Sequence, residues 1–145
     1  MKRIAFVLVA LAAAVAGPGL QHMTSAQSDA ELEQLARGRY LVEDVAQCIQ
    51  CHSPRDTNGN LIQSKLLQGA PIPVTSPFPT KPFAERAPNL AGLAGFGAEG
   101  VKHLLTTGKV KRTGQPPSAP MPPFRMNNED ADSVVAYLVS LRKAS

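Results

Sequence analysis

The chain has 145 residues, with 15 Lys and Arg against 11 Asp and Glu and a formal charge of +4. That is the length of about one domain. The balance is too weakly basic, and its Lys and Arg too scattered, for a nucleic-acid-binding module.

The N-terminus reads as a leader. Lys2 and Arg3 precede an apolar run, Ile4 to Ala16, which Gly17 and Pro18 end. Thr24-Ser25-Ala26 then offers small residues for cleavage before Gln27. This order is that of a secretory signal, and the run is shorter than the ~20 residues a spanning helix needs. We therefore expect a signal peptide at 1–26 and a mature domain at 27–145, exported to the periplasm, with membrane association only if the leader stays on. Cleavage removes Lys2 and Arg3 and no acid, which lowers the formal charge from +4 to +2.

Residues 28–43 predict a helix, with Ser28 or Asp29 as N-cap and Glu31 and Glu33 in its first turns. Leu32, Leu35, Ala36 and Tyr40 share one face of it. Gly38 inside that pattern costs about 1 kcal/mol against alanine, and is either a tolerated surface glycine or the point over which another helix passes closely. Residues 53–87 form a long connection in which Pro71, Pro73, Pro77, Pro79 and Pro82 forbid regular helix, with a short piece at Leu61 to Leu67. A loop this long is uncommon unless it covers a site. Residues 98–107 predict a short helix with Val101, Leu104 and Leu105 on its apolar face and Gly108 as its stop.

Residues 115–124 carry five prolines and stay extended. Asn127 caps a last helix, boxed with Asp130, whose stripe is Ala131, Val134, Val135, Leu138 and Leu141, flanked by Tyr137. Arg142 and Lys143 suit its C-terminal end. No repeat and no convincing strand is visible, so the fold class is all-α.

The two cysteines, Cys48 and Cys51, stand in Cys48-Ile49-Gln50-Cys51-His52. A disulfide here would close a very short loop and stabilise little. A thioredoxin-like dithiol wants a βαβ context, and a zinc site wants ligands that His22, leaving with the signal, and His103 do not complete. C-x-x-C-H instead reads as attachment of one c-type haem. Two intervening residues hold both thiols on one side of a tight turn, for two vinyl groups of one porphyrin. The next residue, His52, is then carried beneath the iron as proximal ligand. A buried flat cofactor also suits a chain with no tryptophan.

For the sixth coordination position the favoured residue is Met121, aimed by prolines in Ala119-Pro120-Met121-Pro122-Pro123-Phe124. Met126 is the fallback, and His103 or an open position are the remaining alternatives. Lys102, Lys109, Lys111 and Arg112 are the densest basic cluster, either a solvated face or a docking patch for an acidic partner.

Arg37-Gly38-Arg39-Tyr40-Leu41-Val42, C-x-x-C-H, Pro88-Asn89-Leu90, Met-Pro-Pro-Phe-Arg-Met and Val-Ala-Tyr-Leu, in this order, resemble the bacterial class I monohaem cytochromes c. The group includes haem subunits of periplasmic dehydrogenases. The resemblance covers roughly residues 30–143. It implies first and last helices crossing around one covalent haem c, long proline-rich loops, and Tyr40 and Tyr137 near the crossing. It also implies that the Pro88 carbonyl orients His52. Activity would be one-electron transfer rather than catalysis, as a free carrier or as a subunit of a periplasmic oxidoreductase. The partners implied are a dehydrogenase, an oxidase or another cytochrome. The 53–87 stretch is longer than in the smallest members, so the resemblance names no partner for the haem propionates.

Overall fold

A computed structural model of the chain describes residues 19–78 and 82–142, with side chains from Ser28 onward. Helix α1 spans Gly19–Tyr40, so it begins well before the expected start at 28. Ser28 and Asp29 therefore lie inside it and not at its N-cap. The nearest proline, Pro18, precedes the first turn, and nothing between Gly19 and Gln27 breaks a helix. The expected cleavage site Thr24-Ser25-Ala26 falls in this stretch, while the apolar run Ile4 to Ala16 lies outside the described residues. No described helix is long and apolar enough to cross a membrane.

The expected apolar face of α1 is corrected as well. Leu32 is 65% and Tyr40 51% exposed, Ala36 is exposed too, and Tyr40 stacks under the Arg37 guanidinium instead. The inward line runs through Leu35, Gly38, Leu41 and Val42, and Val42 is fully buried. Glycine is its centre because α4, Asn128–Ser140, crosses there. A Cβ at Gly38 would meet the Ser133 carbonyl oxygen at 2.0 Å and the Tyr137 Cβ at 2.8 Å.

Past Tyr40 the helix widens into a π turn, Leu41–Val45, closed by the Ala46 N–H on the Leu41 carbonyl at 2.8 Å. The turn brings Glu43 against α4, where the Tyr137 hydroxyl donates to its carboxylate. Burial, and then the Glu43 carboxylate, push the Tyr137 phenol up to about 12. Gln47 follows in the left-handed region at φ 50, which costs a non-glycine residue about 1 kcal/mol. These two departures from α geometry turn the chain sharply into α2, Cys48–His52.

The long connection holds a 3-10 turn, Gln63–Lys65, and then the two-residue strands β1, Ala70–Pro71, and β2, Arg86–Ala87. They pair antiparallel, Ala70 with Ala87 and Pro71 with Arg86. This small ladder sits within an all-α fold, though no strand was expected. Two paired residues carry no readable alternation.

Helix α3 spans Ala98–Thr107 as expected, and the Gly108 N–H closes it on the Leu104 carbonyl. Asn127 caps α4 by accepting from the Asp130 N–H at 2.8 Å, with its amide on the Asp130 carboxylate at 3.2 Å. Ala131, Val134 and Leu138 of α4 join Leu41, Val42, Leu67, Leu93, Val101 and Leu105 in one core. Ion pairs Arg37–Asp130 at 2.9 Å and Lys102–Asp132 at 2.6 Å link α4 to its neighbours. Both are half-exposed and contribute about 1 kcal/mol each at most. Arg142 closes the end of α4 through its backbone, its N–H donating to the Val139 carbonyl at 3.1 Å. The helix stops at Ser140, and the Arg142 side chain lies on Gly92 instead. Lys143 is outside the described residues.

Candidate functional site

Helix α2 is a single turn, so Cys48 and Cys51, three apart, lie on the same side of it. Both are free thiols and both line a cavity of about 380 Å³. Burial pushes the Cys48 thiol up to about 11, so it stays protonated at neutral pH. His52, 7% exposed, also lines the cavity.

The His52 ring is fixed from behind. Its Nδ1 lies 2.8 Å from the Pro88 carbonyl oxygen. A carbonyl only accepts, so Nδ1 carries the hydrogen and Nε2 keeps a free lone pair. Burial lowers the imidazole pKa and the Pro88 contact partly opposes it, so the ring is a neutral donor at ordinary pH. The backbone beneath is clamped too, because the Gly69 N–H donates to the His52 carbonyl at 2.8 Å. Gly69 has φ +81, and a Cβ there would come within 2.9 Å of the Asn89 nitrogen. Only glycine lets the chain pass that closely under the Pro88 segment.

A second stretch of wall comes from the proline-rich segment. Pro117, Pro120, Met121, Pro122 and Phe124 line the cavity. Met126 does not: its backbone N–H is bonded to the Leu105 carbonyl at 2.9 Å, and the residue packs on the core. His103 is likewise absent from the wall; its carbonyl accepts the Thr106 and Thr107 hydroxyls on α3. The β1–β2 hairpin joins the two walls. Ile72 N–H bonds to Glu85, and Ala84 N–H bonds to the Ala119 carbonyl at 2.7 Å, two residues before Met121.

Ile72, Ala84, Arg86, Leu90, Phe96 and Val110 also line the cavity, and none was expected there. Singly placed in loops, they show no periodicity by which a sequence could announce them. Val101, Leu104 and Leu105 were expected as a helix face. That face is shared, part of it serving the core and part the cavity.

A haem matches this site on its donors and on its walls. Two thiols lie on one side of one turn, beside a neutral imidazole with a free lone pair. A thioether lies on the cavity wall, and apart from these donors that wall is apolar but for Gln47, Arg86 and Ser118. The volume falls within the ordinary range of cofactor pockets.

No curated protein matches the chain. The family model for cytochrome c matches residues 35–142, from the last turns of α1 past the end of α4, with the C-x-x-C-H turn, the hairpin and the proline-rich wall inside it. The protein therefore belongs to the cytochrome c family, carries one covalent haem c, for which the spacing of Cys48 and Cys51 fits, and serves haem-based electron transfer.

Proposed function

We propose that the protein is an exported one-electron carrier whose haem iron is held by His52 on one side and Met121 on the other. The bound haem supplies a one-electron change at iron. The observation that carries the ligand set is the Nδ1 contact of His52 with Pro88, which leaves Nε2 free for a metal, while Met121 stands in the same cavity.

His52 and Met121 each have a stiff support. Pro88 offers a carbonyl from a residue with fixed φ, and Pro120 and Pro122 bracket Met121. Ligands held this rigidly keep the iron surroundings alike in both redox states, which favours fast exchange of an electron. With His52 and Met121 both holding the iron, substrate would have no place to bind, and the protein would transfer electrons rather than catalyse a reaction. A neutral thioether opposite imidazole favours the reduced form.

Replacing Met121 by alanine tests the assignment. The thioether-to-iron charge-transfer band of the oxidised protein is expected to vanish, the iron to turn high spin, and the reduced form to lose at least about tenfold in equilibrium, ~59 mV. Met126→Ala is expected to keep the band while destabilising the fold by about 2 kcal/mol. The opposite pattern makes Met126 the ligand.

The redox partner is an acidic protein in the periplasm: a dehydrogenase, an oxidase or another cytochrome. Lys109, Lys111 and Arg112 flank Val110, a cavity-lining residue, and all three are exposed. Lys102 drops out of the expected cluster because Asp132 matches its charge. Transfer to such a partner is expected to slow several-fold between low and physiological salt. A rate indifferent to ionic strength removes this docking patch. A second reading, a haem subunit held permanently in an oxidoreductase, is favoured by exposed Val74 and Phe78 in the hairpin and Phe96 at the cavity. Apolar surface of this kind suits a lasting interface.

A further inference from the structure

Among its described residues the cavity wall bears one permanently charged side chain, Arg86. The residue is exposed while its neighbour Ala87 is buried, so the guanidinium belongs to the lip and not the floor. Most arginines here have partners: Arg37 has Asp130, Arg39 has Glu43, and Arg55 holds Gln50 and the Gly59 carbonyl. The Arg86 guanidinium has no hydrogen bond or ion pair among the described residues, not even with adjacent Glu85.

The backbone around Arg86 is pinned on both sides. Ala84 is bonded to Ala119, Glu85 accepts from Ile72, Arg86 and Ala87 pair with β1, and Pro88 faces His52. An unpartnered cation is thus mounted on the stiffest part of the long loop, at the open edge of an apolar cleft. The cofactor of this family is a flat apolar ring with two propionate carboxylates. Its ring satisfies the walls, and its carboxylates need donors at the lip. A guanidinium fork matches a carboxylate with two parallel hydrogen bonds.

The geometry points to Arg86 as the binding residue for a haem propionate. It rests on the reading of this cavity as the haem site. Pairing neutralises a negative charge near the iron, and so disfavours the oxidised form, which carries one more positive charge.

The test uses full-length holoprotein, matured with haem labelled with carbon-13 at the propionate carboxyls. Redox-difference infrared spectra and midpoint potentials are compared for wild type, Arg86→Gln, Arg86→Lys and Lys65→Gln. Lys65 is an exposed residue of the 3-10 turn, off the cavity wall, and its change removes the same charge. Arg86→Gln is expected to move the labelled carboxylate band and to shift the redox equilibrium about tenfold toward the oxidised form, ~59 mV for one electron. Arg86→Lys is expected to recover most of the potential but not the band, because an ammonium lacks the two-donor fork. Lys65→Gln is expected to leave the band alone. A carboxylate band identical in wild type and Arg86→Gln overturns the proposal. If the thioether charge-transfer band is present in the same sample, that result removes Arg86 alone and leaves the Met121 assignment standing.

Discussion

Gly38→Ala is expected to destabilise the protein by about 3 kcal/mol or more, although it adds one methyl group. The new carbon would lie 2.0 Å from the Ser133 carbonyl oxygen, and neither backbone there has a rotamer to relieve it. Helices α1 and α4 must separate, which also pulls Arg37 from Asp130 and Glu43 from the Tyr137 hydroxyl. Gly100→Ala is the matched control. It lies in α3 with nothing within 4 Å of the added carbon, so helix propensity alone acts and a gain of up to about 1 kcal/mol follows. Thermal unfolding by circular dichroism measures both, with a fall of roughly 10 °C for Gly38→Ala. Equal tolerance of the two changes would contradict the close crossing.

Changing Cys48 and Cys51 together to serine is expected to abolish covalently retained pigment. Each thioether forms when a thiol adds across a vinyl double bond, sulfur to one carbon and hydrogen to the other. Serine hydroxyls are far poorer nucleophiles for that addition. Wild type matured in a host with haem-attachment machinery is expected to show one haem per chain by pyridine haemochrome, in a form that acidified organic solvent does not extract. Intact mass of the same sample reads the haem increment and whether residues 1–26 have been removed. The double variant is expected to lose the increment entirely. If it keeps inextractable pigment, attachment lies elsewhere.

These outcomes divide along what local chemistry makes readable. The limits of α3 and the cap and stripe of α4 follow from short-range rules: a glycine stop, an Asn127–Asp130 box, and apolar residues three and four apart. The placement of Cys48, Cys51 and His52 is legible for the same reason, since one turn of chain contains all three. The inward face of α1 is only half legible: Gly38 marks the crossing, but the apolar spacing around it points to the wrong side. Its neighbours Leu32 and Tyr40 are apolar yet exposed.

Sequence alone determined the all-α class and the run of Cys48, Cys51 and His52 within one short turn. Tertiary structure alone decided that Ile72, Ala84, Leu90, Phe96 and Val110 join the cavity wall, and that Arg86 stands at the lip. The physical reason is range. A turn or a cap is written in residues that touch their own neighbours. A cavity wall is assembled from loops such as 84–88 and 117–124, which share no periodicity and meet only once the helices have crossed.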